Sequence, residues 1–515
     1  MKVRLLFSDR EADLDAKPAD GADDLVADLD LGPVLELMQP DRRLDELCPA
    51  VLLNPLTDPV QIAWRQHVLA DALADPAGMR ALFDLAGRAL ESQHSIWMYG
   101  GKTAESLLSR SIHGLRALLP LLRELAAFAA NRLPYATSAG LTELYQRLIA
   151  ELDTAYLGEL ATLLNQLGFP QGVLSRARLD ASGLLGSLEL LAPRRERPPW
   201  WAVLGFGGQG RFRFTIAERD EAGAQALAQL RNDAIYDVAA TLGRSCEHVV
   251  GFFRQLRWET GFYVGCLQLH DRLGDLGITT CWPVPGTPSD AMAAVDLSCL
   301  SHAIRNAEAP VPNDLTGPRV DFALLTGANQ GGKTTFLRSI GCAQLMLQAG
   351  MFVPATSYRA AVAPSVHTHF RRSEDDDLAS GKLEEELVRM SRIVDRCRPG
   401  DLLLMNESFA STDEVEGTYL AADILDALLD HGVRVLMVTH FHRLARHYQH
   451  RPGTVFLTAE RREDGVRTHR VLAGSPASTS HGMDIYRQVF GTADAVGAPG
   501  SVPRQPTTSQ ERISA

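Results

Sequence analysis

The stretch Val320–Gly341, VDFALLTGANQGGKTTFLRSIG, decides how the rest of the chain is read. An apolar run from Phe322 to Leu325 breaks at Thr326, passes into a glycine-rich turn, and resumes with Phe336, Ile340, Ala343 and Leu347 at helical spacing. Strand, loop and helix therefore meet at Gly327–Thr334, a GxxxxGK[ST] pattern. Glycines let main-chain N–H groups curl round phosphate oxygens where a Cβ would not fit, and the helix N-terminus adds its positive dipole end. The predicted phosphate cradle comprises Gly327, Ala328, Asn329, Gln330, Gly331, Gly332, Lys333, Thr334 and Thr335. In it Lys333 reaches the β- and γ-phosphates and Thr334 ligates Mg²⁺.

The chain has 515 residues, too many for one ordinary core, and 45% of them are hydrophobic, enough for two to four domains to bury cores. No apolar run near the N-terminus resembles a signal peptide, and each long leucine-rich run is interrupted by Arg, Glu or Pro before it could span a bilayer, which points to the cytoplasm and to no membrane partner. The seven cysteines are scattered without a CxxC pair, so they read as buried or free thiols rather than a disulfide framework or zinc knuckle. A net charge of -12 excludes a generally basic nucleic-acid coat and confines any DNA contact to local patches. Candidates are Arg194, Arg195 and Arg197, then Arg211 with Arg213, and Arg371 with Arg372, each of which also reads as a solvated face.

In chain order, residues 1–31 are acid-rich and read as a flexible arm. From Leu35 to about Leu191 the apolar spacing is helical almost throughout, with Pro59 a plausible first helical residue after the PLTDP turn. Aromatic and β-branched residues alternate with arginine around GGQG between about 195 and 220, which suggests a short β-hairpin insertion. Helical spacing then returns from Asp220 to about Gly274 as a long lever. These segments make a helical core and lever domain over 32–280, followed by a nucleotide domain over 281–490 and a disordered tail over 491–515.

Past the phosphate loop, Leu383, Leu387, Met390 and Val394 space out a buried helical stripe whose N-terminus falls at Ser380 and Gly381. Two buried strands follow, Asp401–Met405 running into Asn406 and Glu407, and Val433–His440. Thr454–Ala459 and Val466–Leu472 flank Asp464-Gly465 and should pair as a hairpin. Strands alternating with helices imply a mainly parallel sheet whose C-terminal edge collects the polar tips. There Glu407 is placed to polarise water and His440 to read a γ-phosphate, the parts that phosphoryl transfer from ATP requires. Asn406 is a neutral amide where Mg²⁺ would be held through water. His367 and His369 share a strand face, but without a third ligand nearby they read as ordinary sheet residues.

At these residues the chain resembles the MutS family of DNA mismatch-repair ATPases. The similar blocks are TGANQGGKTT (Thr326–Thr335), FVPA (Phe352–Ala355), DDLASG (Asp376–Gly381), LLLMNES followed by Thr412, Glu416 and Gly417, and VTHF (Val438–Phe441). PLTDPVQIAWRQHVL resembles, more weakly, the start of the family's core and lever region. The resemblance implies a P-loop, ABC-type α/β ATPase domain preceded by an all-helical core and lever, using ATP and Mg²⁺. It also implies a homodimer in which Ser380 and Gly381 cap the partner's nucleotide, gripping DNA by shape rather than by base. The chain departs from the pattern in several ways: no room precedes residue 35 for the mismatch-reading and connector domains, the region between the levers is short for a DNA-gripping clamp, Lys382, Leu383 and Glu384 stand where Ser-Thr-Phe is expected, Asn406 replaces Asp, and no nuclease-type domain is recognised at the C-terminus. Two functions are therefore open, an ATP-driven DNA-binding protein and a nucleotide-gated dimerisation scaffold with weak or no hydrolysis.

Overall fold

One uninterrupted helix of 55 residues, Glu221–Asp275, is the spine of the N-terminal half. No proline occurs along it, so nothing removes a main-chain donor over its length. The computed structural model describes residues 1–97, 103–167, 175–179, 185–190, 221–287, 292–315, 320–372, 381–462 and 466–475. These fall into two units, 1–310 with 338–368, and 311–337 with 369–515.

The first unit carries α1 (Ala22–Asp28), α2 (Gly32–Leu37), α3 (Leu47–Leu52), α4 (Pro59–Ala74), α5 (Pro76–Trp97), α6 (Ala104–Arg132), α7 (Ala139–Glu151) and α8 (Thr154–Leu167). An antiparallel hairpin, β1 (Ser175–Leu179) with β2 (Leu185–Leu190), precedes α9, the 55-residue helix. Helix α4 does begin at Pro59, with Asp58 capping the Val60 amide. Helices α5 and α6 lie along α9. Leu108, Ile112 and Leu115 of α6 pack with Leu164 of α8 and with Ile235, Ala239, Leu242 and Cys246 of α9. Gly265 is required on α9 because a Cβ there would stand 2.2 Å from the Met38 carbonyl oxygen. After α9 come β3 (Val284–Gly286), β4 (Ala293–Leu297) and α10 (Leu300–Asn306). Both strands pair with β7 (Ser357–Ala361), from beyond the phosphate loop.

The second unit opens with β5 (Asn313–Leu315) and β6 (Phe322–Gly327), and α11 (Lys333–Gln348) starts in it. Its sheet draws on β8 (Val366–Phe370), β9 (Leu402–Asn406), β10 (Arg434–Val438), β11 (Thr454–Arg461) and β12 (Arg467–Ala473), in the order β12-β11-β6-β10-β9-β8. Strands β6, β9, β10 and β11 run parallel, while β12 returns antiparallel to β11 as the expected hairpin. Helices α12 (Lys382–Val394), α13 (Glu414–Asp430) and α14 (His442–His447) supply Met390, Ile393, Leu425, Leu428 and Leu444. These pack on Phe322, Leu324, Leu403, Met405, Val435 and Met437 from alternate strand positions.

Several expectations are corrected. Residues 1–31 are not a flexible arm: the acids Asp13, Asp15 and Asp20 face solvent, while Val3, Leu5, Leu6, Leu29 and Leu31 are buried, each at about 1.5–3 kcal/mol of hydrophobic stabilisation. The helical region ends at the β1–β2 hairpin rather than continuing to Leu191. The first unit runs past 280 to Pro310 because β3 and β4 need β7 as a pairing partner. Val394 is 40% exposed, and Ile393 fills the stripe instead. The insertion placed near 195–220, with Arg194, Arg195, Arg197, Arg211 and Arg213, and the tail over 491–515 lie outside the described residues. Among the described residues no helix is long and apolar enough to cross a membrane.

Glu259 of α9 is what holds the N-terminal segment. Fully buried, its carboxylate accepts from the amides of Leu5 (2.6 Å), Leu6 (2.9 Å) and Ala12 (3.1 Å) and from Gln255 Nε2 (2.8 Å). Replacing Glu259 with Gln turns an acceptor into a donor facing buried amides, and is expected to cost about 2–4 kcal/mol of stability. Denaturant unfolding together with amide exchange at Leu5 and Leu6 checks this; unchanged protection at those amides would refute it.

Candidate active site

Register brings three loops to one edge of the second unit's sheet. Val438 of β10 lies opposite Leu325 of β6 on one side and opposite Asn406 of β9 on the other. The Thr439 amide donates to the Leu325 carbonyl (3.1 Å) and the Glu407 amide to the Val438 carbonyl (2.9 Å). The residues that follow these strand ends, the Gly327 turn, Glu407 and His440, consequently leave the sheet side by side.

The glycine turn has left-handed φ at Gly327 (121°), Gln330 (60°) and Gly332 (89°). Such alternation builds an anion-binding nest, and the first turn of α11 has amides with no partner inside the helix. The turn is pressed onto β11: a Cβ on Gly327 would lie 3.0 Å from the Ala459 amide nitrogen, and one on Gly331 3.0 Å from both the Ala328 oxygen and the Ala459 Cβ. Lys333 folds back over it, donating from Nζ to the carbonyls of Gly327 (3.0 Å) and Ala328 (2.9 Å). Burial lowers its pKa, and the repulsion of Arg467 adds to this, while Glu407 opposes both. Asn329 and Thr335 are half-buried at the two ends of the turn, and Gln330 is exposed.

Two hard oxygens converge beside Lys333. Thr334 Oγ1 donates to Asn406 Oδ1 at 3.1 Å, so the hydroxyl and the amide assigned to Mg²⁺ from the sequence are in contact. Next along, Glu407 Oε1 is 2.8 Å from His440 Nε2. The hydrogen bond from His440 is the largest cause holding the Glu407 pKa below its ordinary 4.5; burial opposes it, and the charges of His440, Lys333 and Arg371 reinforce it. An ionised carboxylate only accepts, so Nε2 carries the hydrogen. Arg371, read from sequence as half of a basic patch or a solvated face, is exposed at this edge, its amide donating to the Asn406 carbonyl (3.0 Å). Gly381 is the N-cap of α12, and Ser380 lies outside the described residues. The glycine nest, the lysine, the paired oxygen donors and the ionised carboxylate together fit a magnesium nucleotide, the donor types matching each part of it.

Sequence reasoning missed the support beneath Glu407. Glu407 and Phe409 both have left-handed φ (53° and 63°), uncommon for non-glycine residues. Glu386 of α12, 7% exposed, accepts from the Phe409 amide (2.7 Å) and from Ser411 Oγ (2.8 Å). His369 is fully committed: Nδ1 meets Ser408 Oγ (2.7 Å) and Nε2 meets the Glu386 carbonyl (3.1 Å). With both ring nitrogens engaged it is a structural residue, as read from the sequence. The signal for Glu386 was its place on the buried side of an amphipathic helix, where an acid needs partners.

Comparison with known proteins agrees in both halves. A family model described as MutS2 N-terminal domain matches residues 57–276, and one described as MutS domain V matches 323–501. A DNA mismatch repair protein MutS of Syntrophomonas wolfei is 33% identical over 185 residues, 34% of this chain and 21% of that protein. An Endonuclease MutS2 of Geobacillus kaustophilus is 34% identical over 191 residues, 36% of this chain and 24% of that protein. A MutS of Lactococcus lactis is 26% identical over 293 residues, 53% of this chain and 34% of that protein. The matches thus take in about a third or less of these relatives' own lengths.

Two outcomes test the geometry. His440→Ala removes the hydrogen bond that holds Glu407 ionised, so the Glu407 carboxyl titration, followed by carbon NMR, should move upward towards 4.5. Because the folded pKa is depressed, the pair's stabilisation is present above 4.5 and lost as pH falls through the folded value, and the variant should show less of this acid-side loss. Glu386→Ala strands the Phe409 amide and should cost about 1–3 kcal/mol, with faster exchange at that amide; protection equal to the parent would assign the turn's hold to other contacts.

Proposed function

Since the chain belongs to the MutS family, we propose that its second unit is an ABC-type P-loop ATPase and that the protein is an ATP-dependent, dimeric DNA-binding protein acting in mismatch repair or a related repair or recombination process. The observation that carries this reading is the 2.8 Å contact of Glu407 with His440, beside the Thr334–Asn406 pair at the mouth of the glycine turn. Unpaired strand-end residues would be unremarkable; these are gathered around a lysine-bearing nest.

Bound Mg²⁺-ATP would supply the γ-phosphoryl group and the metal charge that eases its transfer to water. Lys333, now bonded to two carbonyls, would be available to hold phosphate oxygens, as would the amides of Gly332 to Thr335. Thr334 Oγ1 and Asn406 Oδ1 would hold the cation, Asn406 through water, which suits a neutral amide better than direct ligation of a hard ion. Glu407, ionised and steered by His440 Nε2–H, has a second oxygen with which to orient water and take its proton. His440, bonded to that base, stands where it can register whether a terminal phosphate is present. In such a dimer Gly381 and Ser380 of each partner would cap the other's nucleotide, and Lys382, Leu383 and Glu384 would give this chain its own version of that contact.

DNA contact must be local in a chain of net charge -12, and is expected to respond to shape rather than base. The deciding experiment measures Mg²⁺-ATP turnover of the full chain with and without duplex, mispaired and branched DNA, with gel shifts over a salt series. Turnover that rises with one of these DNAs, together with binding that weakens as salt rises, supports the reading. Absence of binding to all three leaves the scaffold alternative. Glu407→Gln should lower turnover about hundredfold or more with nucleotide affinity unchanged, and Lys333→Ala should abolish nucleotide binding; equal turnover in Glu407→Gln and parent would remove Glu407 from its role.

A further inference from the structure

Strand β12 brings a second cation to the glycine turn. Arg467, its first residue, donates from Nη1 to Gln330 Oε1 at 2.8 Å. The strand is locked there from both sides. Asn313 of β5 donates from Nδ2 to the His469 carbonyl (3.1 Å) and accepts the Val471 amide on Oδ1 (2.6 Å). The His469 main chain lies 3.5 Å from where a Cβ on Gly332 would stand, and Ala459, opposite Val471 in the hairpin, packs beneath Gly327 and Gly331.

Among the described residues Arg467 forms no ion pair. Its hydrogen-bond partner among the described residues is a neutral amide, which uses one of five guanidinium donors. Gln330 belongs to the same turn whose Gly327 and Ala328 carbonyls accept from Lys333. Two cations at one nest suit an anion of more than one charge, and a planar fork of donors suits phosphate oxygens.

We propose that Arg467 is a second phosphate-binding residue, contributed in cis by the β11–β12 hairpin, which grips the terminal phosphates of a nucleoside triphosphate together with Lys333. This rests on reading Gly327–Thr334 as the nucleotide site. It makes the hairpin part of that site, so that a polyphosphate ties β12 to the glycine turn through Arg467 and Gln330. It also adds to the preference for triphosphate over monophosphate that Lys333 sets.

The test is calorimetric titration of the full chain with ATP, ADP and AMP, for the parent and for Arg467→Ala, Arg467→Gln and Arg467→Lys, with Lys333→Ala as control and thermal unfolding to verify folding. Arg467→Ala and Arg467→Gln are expected to bind ATP about tenfold more weakly, the size of one charge-assisted hydrogen bond, with AMP unchanged and Arg467→Lys recovering part of the loss. Glutamine can still bond to Gln330, so ATP affinity equal to the parent in Arg467→Gln would reduce Arg467 to a prop for the turn and overturn the proposal. A loss of equal size for ATP and AMP would overturn it too. If Lys333→Ala binds ATP as the parent does, the phosphate-loop reading itself fails; lysine-dependent binding indifferent to Arg467 sinks this inference alone.

Discussion

The second unit depends on the parallel register of three strands. With Leu325, Val438 and Asn406 in one row, the chain leaves the sheet at three neighbouring points, and each exit carries a different chemical function. A slip of one residue on any strand would turn its tip to the other face of the sheet. The register is held by burial on both faces: every residue of β6, β9 and β10 is buried, as expected of parallel strands covered by helices. The site's precision therefore derives from the apolar core beneath it.

Leaving a sheet abruptly requires a sharp turn. At Gly327 and Gly332 positive φ costs little because there is no Cβ, but at Glu407 and Phe409 it costs about 1–2 kcal/mol each. Those two residues are kept there by the Glu407 amide on β10, by Glu386 accepting from Phe409, and by His369 bridging Ser408 to α12. The Glu407 carboxylate is consequently presented by a turn that the surrounding structure over-determines. Its ionisation is set where the turn ends, by His440 from the next strand.

The first unit uses a similar device for a different end. Glu259 gathers the amides of Leu5, Leu6 and Ala12 around one buried carboxylate, while buried Arg65 donates to the Leu6 carbonyl (2.8 Å) and Tyr263 to that of Leu5 (2.6 Å). A segment without regular structure of its own is thereby paired group by group, which is how irregular main chain can be buried. The N-terminal residues belong to the core of α9 and not to solvent.

Much of this was legible in the linear pattern. The apolar run into GxxxxGK[ST] specified strand, glycine turn and helix because glycine alone tolerates that turn and only helical spacing continues it. The order of Asn406, Glu407 and His440 at the ends of apolar runs marked one sheet edge because parallel strands end together. What the pattern could not decide lay in contacts between residues far apart in the chain. Acid content at residues 1–31 looked like solvation, and Glu259, more than two hundred residues away, made it core. Arg467 carries no local signature at all, and Glu386 shows only as an acid on the buried side of an amphipathic helix. Composition and spacing are one-dimensional, whereas the roles of buried carboxylates and site cations are set by which partners the fold brings within hydrogen-bond reach.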